Sequence, residues 1–287
     1  MLEFNGEKLT TMIRAWLEED IGMGDVSTLA TVPSEQRTKA IIHAKQKGVV
    51  AGLPVVEQVF LTVDDSLQVR LMKQDGDRIE KGDHLLEVSG AARSILSAER
   101  LALNLLQRMS GVATITAEYV QELTGLPTNL ADTRKTTPGL RMLEKYAVRV
   151  GGGHNHRFGL FDAVMIKDNH IKAAGSLADA IAKSRAFVPH TMKIEVEIER
   201  LEQIEEALAA DIIMLDNMPV EMMKEAVERI RSRKPHILIE ASGNVSRLTL
   251  RSIAMTGVDI ISAGAITHSV PALDISLDLF AQKESMK

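Results

Sequence analysis

Cysteine is absent from the 287 residues. Its absence removes disulfides, thiol nucleophiles, Cys-ligated zinc and iron–sulfur clusters together. It suits a reducing compartment, so a cytoplasmic location is expected. Aromatic side chains are scarce, with one Trp, two Tyr and six Phe, too few for a base-stacking platform. Positive charge is not in surplus. The 34 Lys and Arg are outnumbered by 39 Asp and Glu, giving a net charge of −5, and such a chain lacks the phosphate-neutralising excess behind generic nucleic-acid affinity. No stretch approaches the roughly 18 consecutive apolar residues that cross a bilayer. The opening MLEFNGEKLTTMIRAWLEED carries acidic residues and no apolar core of signal-peptide type. These absences lead us to expect a soluble, unexported protein with neither nucleic acid nor membrane as partner.

Hydrophobic residues make up 45% and charged residues 25% of the chain, a balance that supports a packed core and argues against disorder. The length fits one large or two moderate domains. The first hundred residues mix elements irregularly. Leu9, Met12, Ile13, Trp16 and Leu17 follow one helical face, and Gly22 and Gly24 end it. Residues 38–44 alternate as a strand, Val55 to Val63 returns to helical spacing, and Ile95 to Met109 reads as a strong helix. QDGDRIEKGDHLLEVSG, residues 74–90, has two Gly-Asp turns flanked by alternating residues and predicts a hairpin. It is similar to a hairpin of biotinyl or lipoyl carriers. Lys73, however, precedes the hairpin instead of sitting at its turn, so a scaffold role is expected.

From about residue 127 the rhythm becomes regular. Apolar runs at 128–132, 162–167, 192–198, 211–216, 236–241 and 258–263 read as buried parallel strands. Amphipathic stretches at 138–148, 176–186, 200–210, 219–232 and 246–256 read as the helices between them. This alternation implies an α/β unit with right-handed crossovers, either a barrel or an open wound sheet. A last alternating stretch, 273–280, is expected to pack elsewhere.

The strand ends carry the chemistry, since the active site of an α/β barrel lies at the carboxyl ends of its strands. In order they read Thr133-Arg134-Lys135, Lys167-Asp168-Asn169-His170, Glu195 with Glu197, Asp216-Asn217, Ser242-Gly243-Asn244 and Ala263-Gly264-Ala265. Arg134, Lys135, Arg157 and Lys167 bring four cations to one rim, which in an acidic chain predicts a small polyanionic ligand. The blander alternative is salt bridging to the acidic strand ends. Glu195 and Glu197 share parity and face one side. Glu197 and Asp216 end consecutive strands and suit Mg²⁺, with pairing to Lys167 or Arg134 as the alternative. The two late Gly-bearing ends suit a phosphate. GGGHNHRFG, residues 151–159, reads as a loop in close approach to backbone or ligand. His154 and His156 have the spacing of a metal pair, but Arg157 beside them disfavours a cation. A histidine donating to an anionic ligand is the preferred reading.

TRKTTPGLRMLEKYAVRVGGGHNHRFGLFDAVMIKDNHI, residues 133–171, strongly resembles the quinolinate phosphoribosyltransferases, also called carboxylating nicotinate-nucleotide pyrophosphorylases. The similarity runs the length of the chain. EEDIGMGDVST, AERLALNLLQRMSGVAT, EVE, MLDNM, EASGNV and ISAGAITHS follow in the family's order. The resemblance implies an N-terminal α/β sandwich domain over residues 1–110, joined by the segment 270–287, and a C-terminal open α/β barrel over 111–269. It implies a homodimer with shared active sites, with higher assembly left open, and Mg²⁺ as cofactor. The implied substrates are quinolinate and 5-phosphoribosyl-1-diphosphate, which become nicotinate mononucleotide, pyrophosphate and CO₂. Among site residues it implies that Arg134, Arg157, Lys167 and His156, beside Thr133, hold quinolinate, with Arg100 reaching across from the other subunit. Lys135, Glu197 and Asp216 are implied for the phosphoribosyl donor and its Mg²⁺. Ser242, Gly243 and Asn244, with Ala263, Gly264 and Ala265, are implied for the 5′-phosphate, and His268 for the donor phosphates. Lys135, Lys167, Glu197 and Asp216 are the catalytic candidates.

Overall fold

The computed structural model describes residues 6–280. The chain divides into two compact units: one takes the chain as far as Thr114 and again from Val270, and the other is Ile115–Ser269. Of the C-terminal segment expected to join the first unit, residues 281–287 lie outside the described residues.

The first unit opens with helix α1, Gly6–Ile21, which buries Leu9, Ile13 and Leu17 along one stripe. Gly22 and Gly24 then turn to positive φ (51° and 137°) and stop it. Asp25 caps α2, Val26–Thr31, accepting from the Thr28 N–H at 3.0 Å and the Thr28 hydroxyl at 2.5 Å. There follow β1, Arg37–Ala44, β2, Gly48–Val49, and α3, Leu53–Val63. Then come β3, Gln68–Leu71, β4, Arg78–Ile79, β5, His84–Ala91, and α4, Ala92–Glu122, a long helix that ends in the second unit. The strand Ile275–Phe280 returns to the first unit and pairs antiparallel with β1, which pairs with β5, which pairs with β3.

The expected hairpin over 74–90 does not form. β4 pairs with β2, and β5 takes β1 and β3 as neighbours. Both Gly-Asp turns are real, but each serves a local end. Asp77 and Asp83 accept from the N–H groups of Gln74 and Glu80, at 2.8 and 3.2 Å. Asp75 accepts from Gly52 and Leu53 at the start of α3. Turn chemistry fixes where a chain bends, while the pairing partner is decided by distant strands.

The second unit contains β6, Asn129–Ala131, α5, Arg141–Val150, β7, Val164–Ile166, α6, Asp168–Ala174, and α7, Leu177–Phe187. It continues with β8, Ile194–Ile198, a 3₁₀ turn Leu201–Gln203 running into α8, Ile204–Ala207, then β9, Ile212–Asp216, and α9, Val220–Arg233. It ends with β10, Leu238–Ser242, α10, Arg247–Ala254, β11, Ile260–Ser262, and α11, Ala265–His268. Ile275–Phe280 is thus β12. The single helix expected over 200–210 is this turn plus a short helix, and α6 was not anticipated, because its polar start reads as loop.

All pairings in the second sheet are parallel, in the order β7-β8-β9-β10-β11-β6. That is the circular order of an α/β barrel with the β6–β7 pairing missing. On its open side β6 carries one isolated bridge, in which His154 N–H donates to Leu130 O at 2.8 Å and Asp132 N–H to His154 O at 3.0 Å. The barrel is therefore open along one seam. Ile194, Val196 and Ile198 of β8 are fully buried on one face, and Glu195 and Glu197 take the other. No helix among the described residues is long and apolar enough to cross a membrane.

Candidate active site

A cavity of about 510 Å³ opens at the carboxyl ends of the parallel strands. It is lined by Thr133, Arg134 and Lys135 after β6, by His156 and Arg157, and by Met165 and Lys167 of β7 and its end. Glu197, Met214, Asp216 and Asn217 continue the wall, and Ser242, Gly243, Asn244 and Ser262 complete it. Most of the residues singled out from the strand ends therefore share one space. Ala263, Gly264, Ala265 and His268 do not line it. Ala263 is buried, and Gly264 packs where an added Cβ would lie 3.0 Å from both Lys135 and His268 side chains. Ser262 faces the cavity from that strand instead. Arg100 is exposed on α4 in the first unit.

The four cations are not equivalent. Lys167 is neutralised by Glu197 at 2.5 Å. Arg157 donates to Ala163 O at 3.0 Å. Burial, then the charge of Arg134, pulls its pKa down, and Glu195 and Asp162 partly compensate. Arg134 has a buried Nε with no hydrogen-bond partner, and among the described residues no carboxylate reaches it. Lys135 is exposed, and no ion pair to it occurs among the described residues. Leaving a buried guanidinium nitrogen unsatisfied is unfavourable, so Arg134 in particular has capacity left for an anion.

Burial, and then the neighbouring Glu197 charge, raises the Asp216 pKa. Asn217 Nδ2 donates to Asp216 at 2.6 Å. Glu197 and Asp216 are hard oxygen donors of the kind a divalent cation takes, and in this structure Glu197 is engaged by Lys167 at 2.5 Å. Next to them the backbone turns sharply. Asn217, Gly243 and Asn244 all have positive φ (53°, 89° and 50°). The Gly243 Cα packs so closely that a Cβ would meet Asn217 Oδ1 at 2.1 Å. Asn244 Nδ2 donates to the same Oδ1 at 3.1 Å. Left-handed turns of this kind form backbone concavities suited to a phosphate.

His154 and His156 do not form a metal pair. His154 is exposed, and its backbone is taken by the bridge to β6. The expected hydrogen bond from His156 to a ligand is not available in this arrangement either. Its Nε2 lies 3.0 Å from Glu195 and its Nδ1 accepts from Arg157 N–H at 2.7 Å. Burial alone would lower the His156 pKa, but Glu195 and the charge of Glu240 outweigh it and the net shift is upward. His156, Glu195 and Glu240 converge beneath the cavity, with Glu240 Oε1 3.7 Å from His156 Nε2. Glu240 is 2% exposed, and burial followed by the Glu195 charge pushes its pKa up to about 7.

Residues 112–278 match the family described as quinolinate phosphoribosyl transferase, C-terminal domain, and residues 25–110 match its N-terminal domain. The chain belongs to the quinolinate phosphoribosyltransferase family. A relative from Bacillus subtilis (strain 168), a probable nicotinate-nucleotide pyrophosphorylase [carboxylating], is 46% identical over 99% of this chain and 97% of its own. The nicotinate-nucleotide pyrophosphorylase [carboxylating] of Mycobacterium leprae is 45% identical, over 96% and 98%. The crystal structure of NadC from Streptococcus pyogenes superposes with a TM-score of 0.92 at 43% identity, covering 98% of this chain and all of that one.

Several residues in or near the cavity of this family member carry little signal in its sequence. Met165 and Met214 look like ordinary strand interior, and no signal separates them from it. Asp132, Glu144, Lys145 and Glu240 are polar groups buried among apolar neighbours. An acidic residue closing an apolar run, as Asp132 does before Thr133, is the cue that would have found the first.

Proposed function

We propose that the cavity binds quinolinate beside 5-phosphoribosyl-1-diphosphate, and that the chain is a pentosyltransferase making nicotinate mononucleotide, pyrophosphate and CO₂ for NAD synthesis. The observation that carries this reading is Arg134, whose buried Nε has no partner, sharing one cavity with Arg157, the Gly243 turn, Glu197 and Asp216. Two arginines suit two carboxylates on adjacent ring atoms, and the turn suits a sugar phosphate.

Arg134 and Arg157 hold the ring so that its nitrogen faces the ribose, and positioning of this kind supplies several kcal/mol of a barrier. As pyrophosphate leaves, positive charge develops on the sugar. In this reading Glu197 and Asp216 stabilise it, and Lys135 meets the departing phosphates. Glu197 and Asp216 are also the residues that would hold Mg²⁺, which when bound supplies charge neutralisation at the diphosphate. Once the ring nitrogen is quaternary, the adjacent carboxylate leaves as CO₂ and its electron pair stays on the ring carbon until a proton arrives. Work in the cytoplasm and a homodimer in which Arg100 of the partner subunit completes each site belong to the same reading.

The test is release of labelled CO₂ from carboxyl-labelled quinolinate with the phosphoribosyl donor, with and without Mg²⁺. Nicotinate ribosylated without CO₂ release would point to a non-decarboxylating relative and refute the reading. For the shared site, an Arg100→Ala chain mixed with a Lys135→Ala chain should recover part of the activity that each lacks alone.

A further inference from the structure

Beneath the cavity lies a pair of opposite charges shut off from solvent. Asp132 and Lys145 are each fully buried, with Lys145 Nζ 2.5 Å from Asp132 Oδ1. Burial raises the pKa of the first and lowers that of the second. Each member spends its remaining hydrogen-bonding capacity on one loop. Asp132 accepts from His156 N–H at 2.8 Å and from Asn155 Nδ2 at 2.7 Å. Lys145 donates to His156 O at 2.8 Å and lies 5.0 Å from the Phe158 ring centroid. Asn155 Nδ2 also donates to Lys145 O, at 2.9 Å.

The same helix ties the neighbouring loop. Arg141, one turn before Lys145 on α5, donates to Thr136 Oγ1 at 3.0 Å, to Arg134 O at 3.3 Å and to Phe158 O at 2.9 Å. Glu144 accepts from Thr137 N–H at 3.1 Å. The two loops held this way are those carrying Arg134 and Arg157. Buried ion pairs are weak contributors to net stability but can specify one arrangement among several. A pair whose remaining bonds converge on the backbone of a binding loop is suited to that use.

We infer that the Asp132–Lys145 pair and Asn155 are positioning residues that set the spacing between Arg134 and Arg157, and so tune the site to a pyridine bearing two adjacent carboxylates. This inference rests on the functional reading above and adds to it a set of residues that never touch substrate. If the pair served only to anchor α5 to β6, loosening it would affect both substrates alike.

Two variants test it. Asn155→Ala removes two tethers and leaves no charge unpaired. Asp132→Asn combined with Lys145→Met removes both charges together, so neither is left alone in the interior. In folded protein, checked by thermal melting, the Kd and KM for quinolinate should rise at least tenfold, while those for 5-phosphoribosyl-1-diphosphate stay within threefold. Amide hydrogen exchange over residues 154–158, measured without substrate, should quicken at least tenfold, with β8 to β10 unchanged. Asn155→Ala keeps the test open if the double variant does not fold. Unchanged exchange and unchanged quinolinate affinity in folded variants overturn the inference, as does an equal loss for both substrates. Wild-type protein that fails to bind quinolinate overturns the functional reading instead, a result separate from anything the variants show.

Discussion

Arg134→Met should move stability and binding in opposite directions. In the free protein Arg134 has a buried, partnerless Nε and lies close enough to Arg157 to depress the pKa of that second guanidinium. Replacing it with a neutral chain of similar length removes a like-charge contact and an unsatisfied donor while keeping the packing. The relief is about 0.5–1 kcal/mol, which raises Tm by about 1–3 °C for a chain of this size. Binding loses a guanidinium–carboxylate contact. Charge-assisted hydrogen bonds contribute about 1.5–3 kcal/mol, and truncating one partner of a desolvated charge pair typically costs about 2 kcal/mol or more. A loss of about 2–3 kcal/mol weakens quinolinate binding by roughly 30- to 150-fold. Calorimetric titration with quinolinate and a thermal melt on the same sample measure both signs. A variant that is more stable but binds within threefold of wild type would refute the placement of a carboxylate at Arg134. One that is less stable would refute the view that the side chain is uncompensated in the free protein.

Two further outcomes follow from the geometry. Gly243→Ala places a methyl 2.1 Å from Asn217 Oδ1 in a backbone at φ 89°. Left-handed strain of about 1–2 kcal/mol plus displacement of Asn217 should lower affinity for the phosphoribosyl donor at least tenfold, with quinolinate affinity held within threefold, by titration with each substrate. Glu240 is protonated more readily in the fold, at about 7, than in the unfolded chain. The native state therefore binds the extra proton between the two values, and stability falls as pH rises from about 4.5 to about 7, by at most roughly 3.4 kcal/mol. Glu240→Gln should flatten that slope in denaturant titrations between pH 5 and 8 and leave the variant more stable than wild type at pH 8. An unchanged slope would exclude Glu240 as its source.

The sequence announces the parallel strands because each is a short apolar run set between amphipathic stretches. Reading the residue after each run then recovers Arg134, Lys167, Glu197, Asp216 and Gly243, since in this architecture position along the chain fixes position on the rim. The hairpin over 74–90 fails for a different reason. Asp77 and Asp83 write their turns locally, but the choice of β2 and β1 as partners depends on residues at least 28 positions away. Lys145 is hidden by its type. A lysine within LEKYAV reads as a solvated face, and its burial is made tolerable by the carboxylate of Asp132, 13 residues earlier, and the carbonyl of His156. His156 lines the cavity, but the occupation of both its nitrogens depends on Glu195 and on the turn of the backbone at Arg157, which spacing does not encode.

The late return of β12 bears on how the chain is made. β1 pairs Lys39 with Phe280 and Ala44 with Ile275, so its second edge finds a partner only once residues 275–280 have been synthesised. Until then an eight-residue strand waits with one row of amides open, a template for pairing with other nascent copies. The parallel barrel, wholly encoded between the two visits to the first sheet, has no such wait. A ribosome that stops early, near residue 270, would release a molecule with a finished catalytic unit and an unfinished, adhesive one.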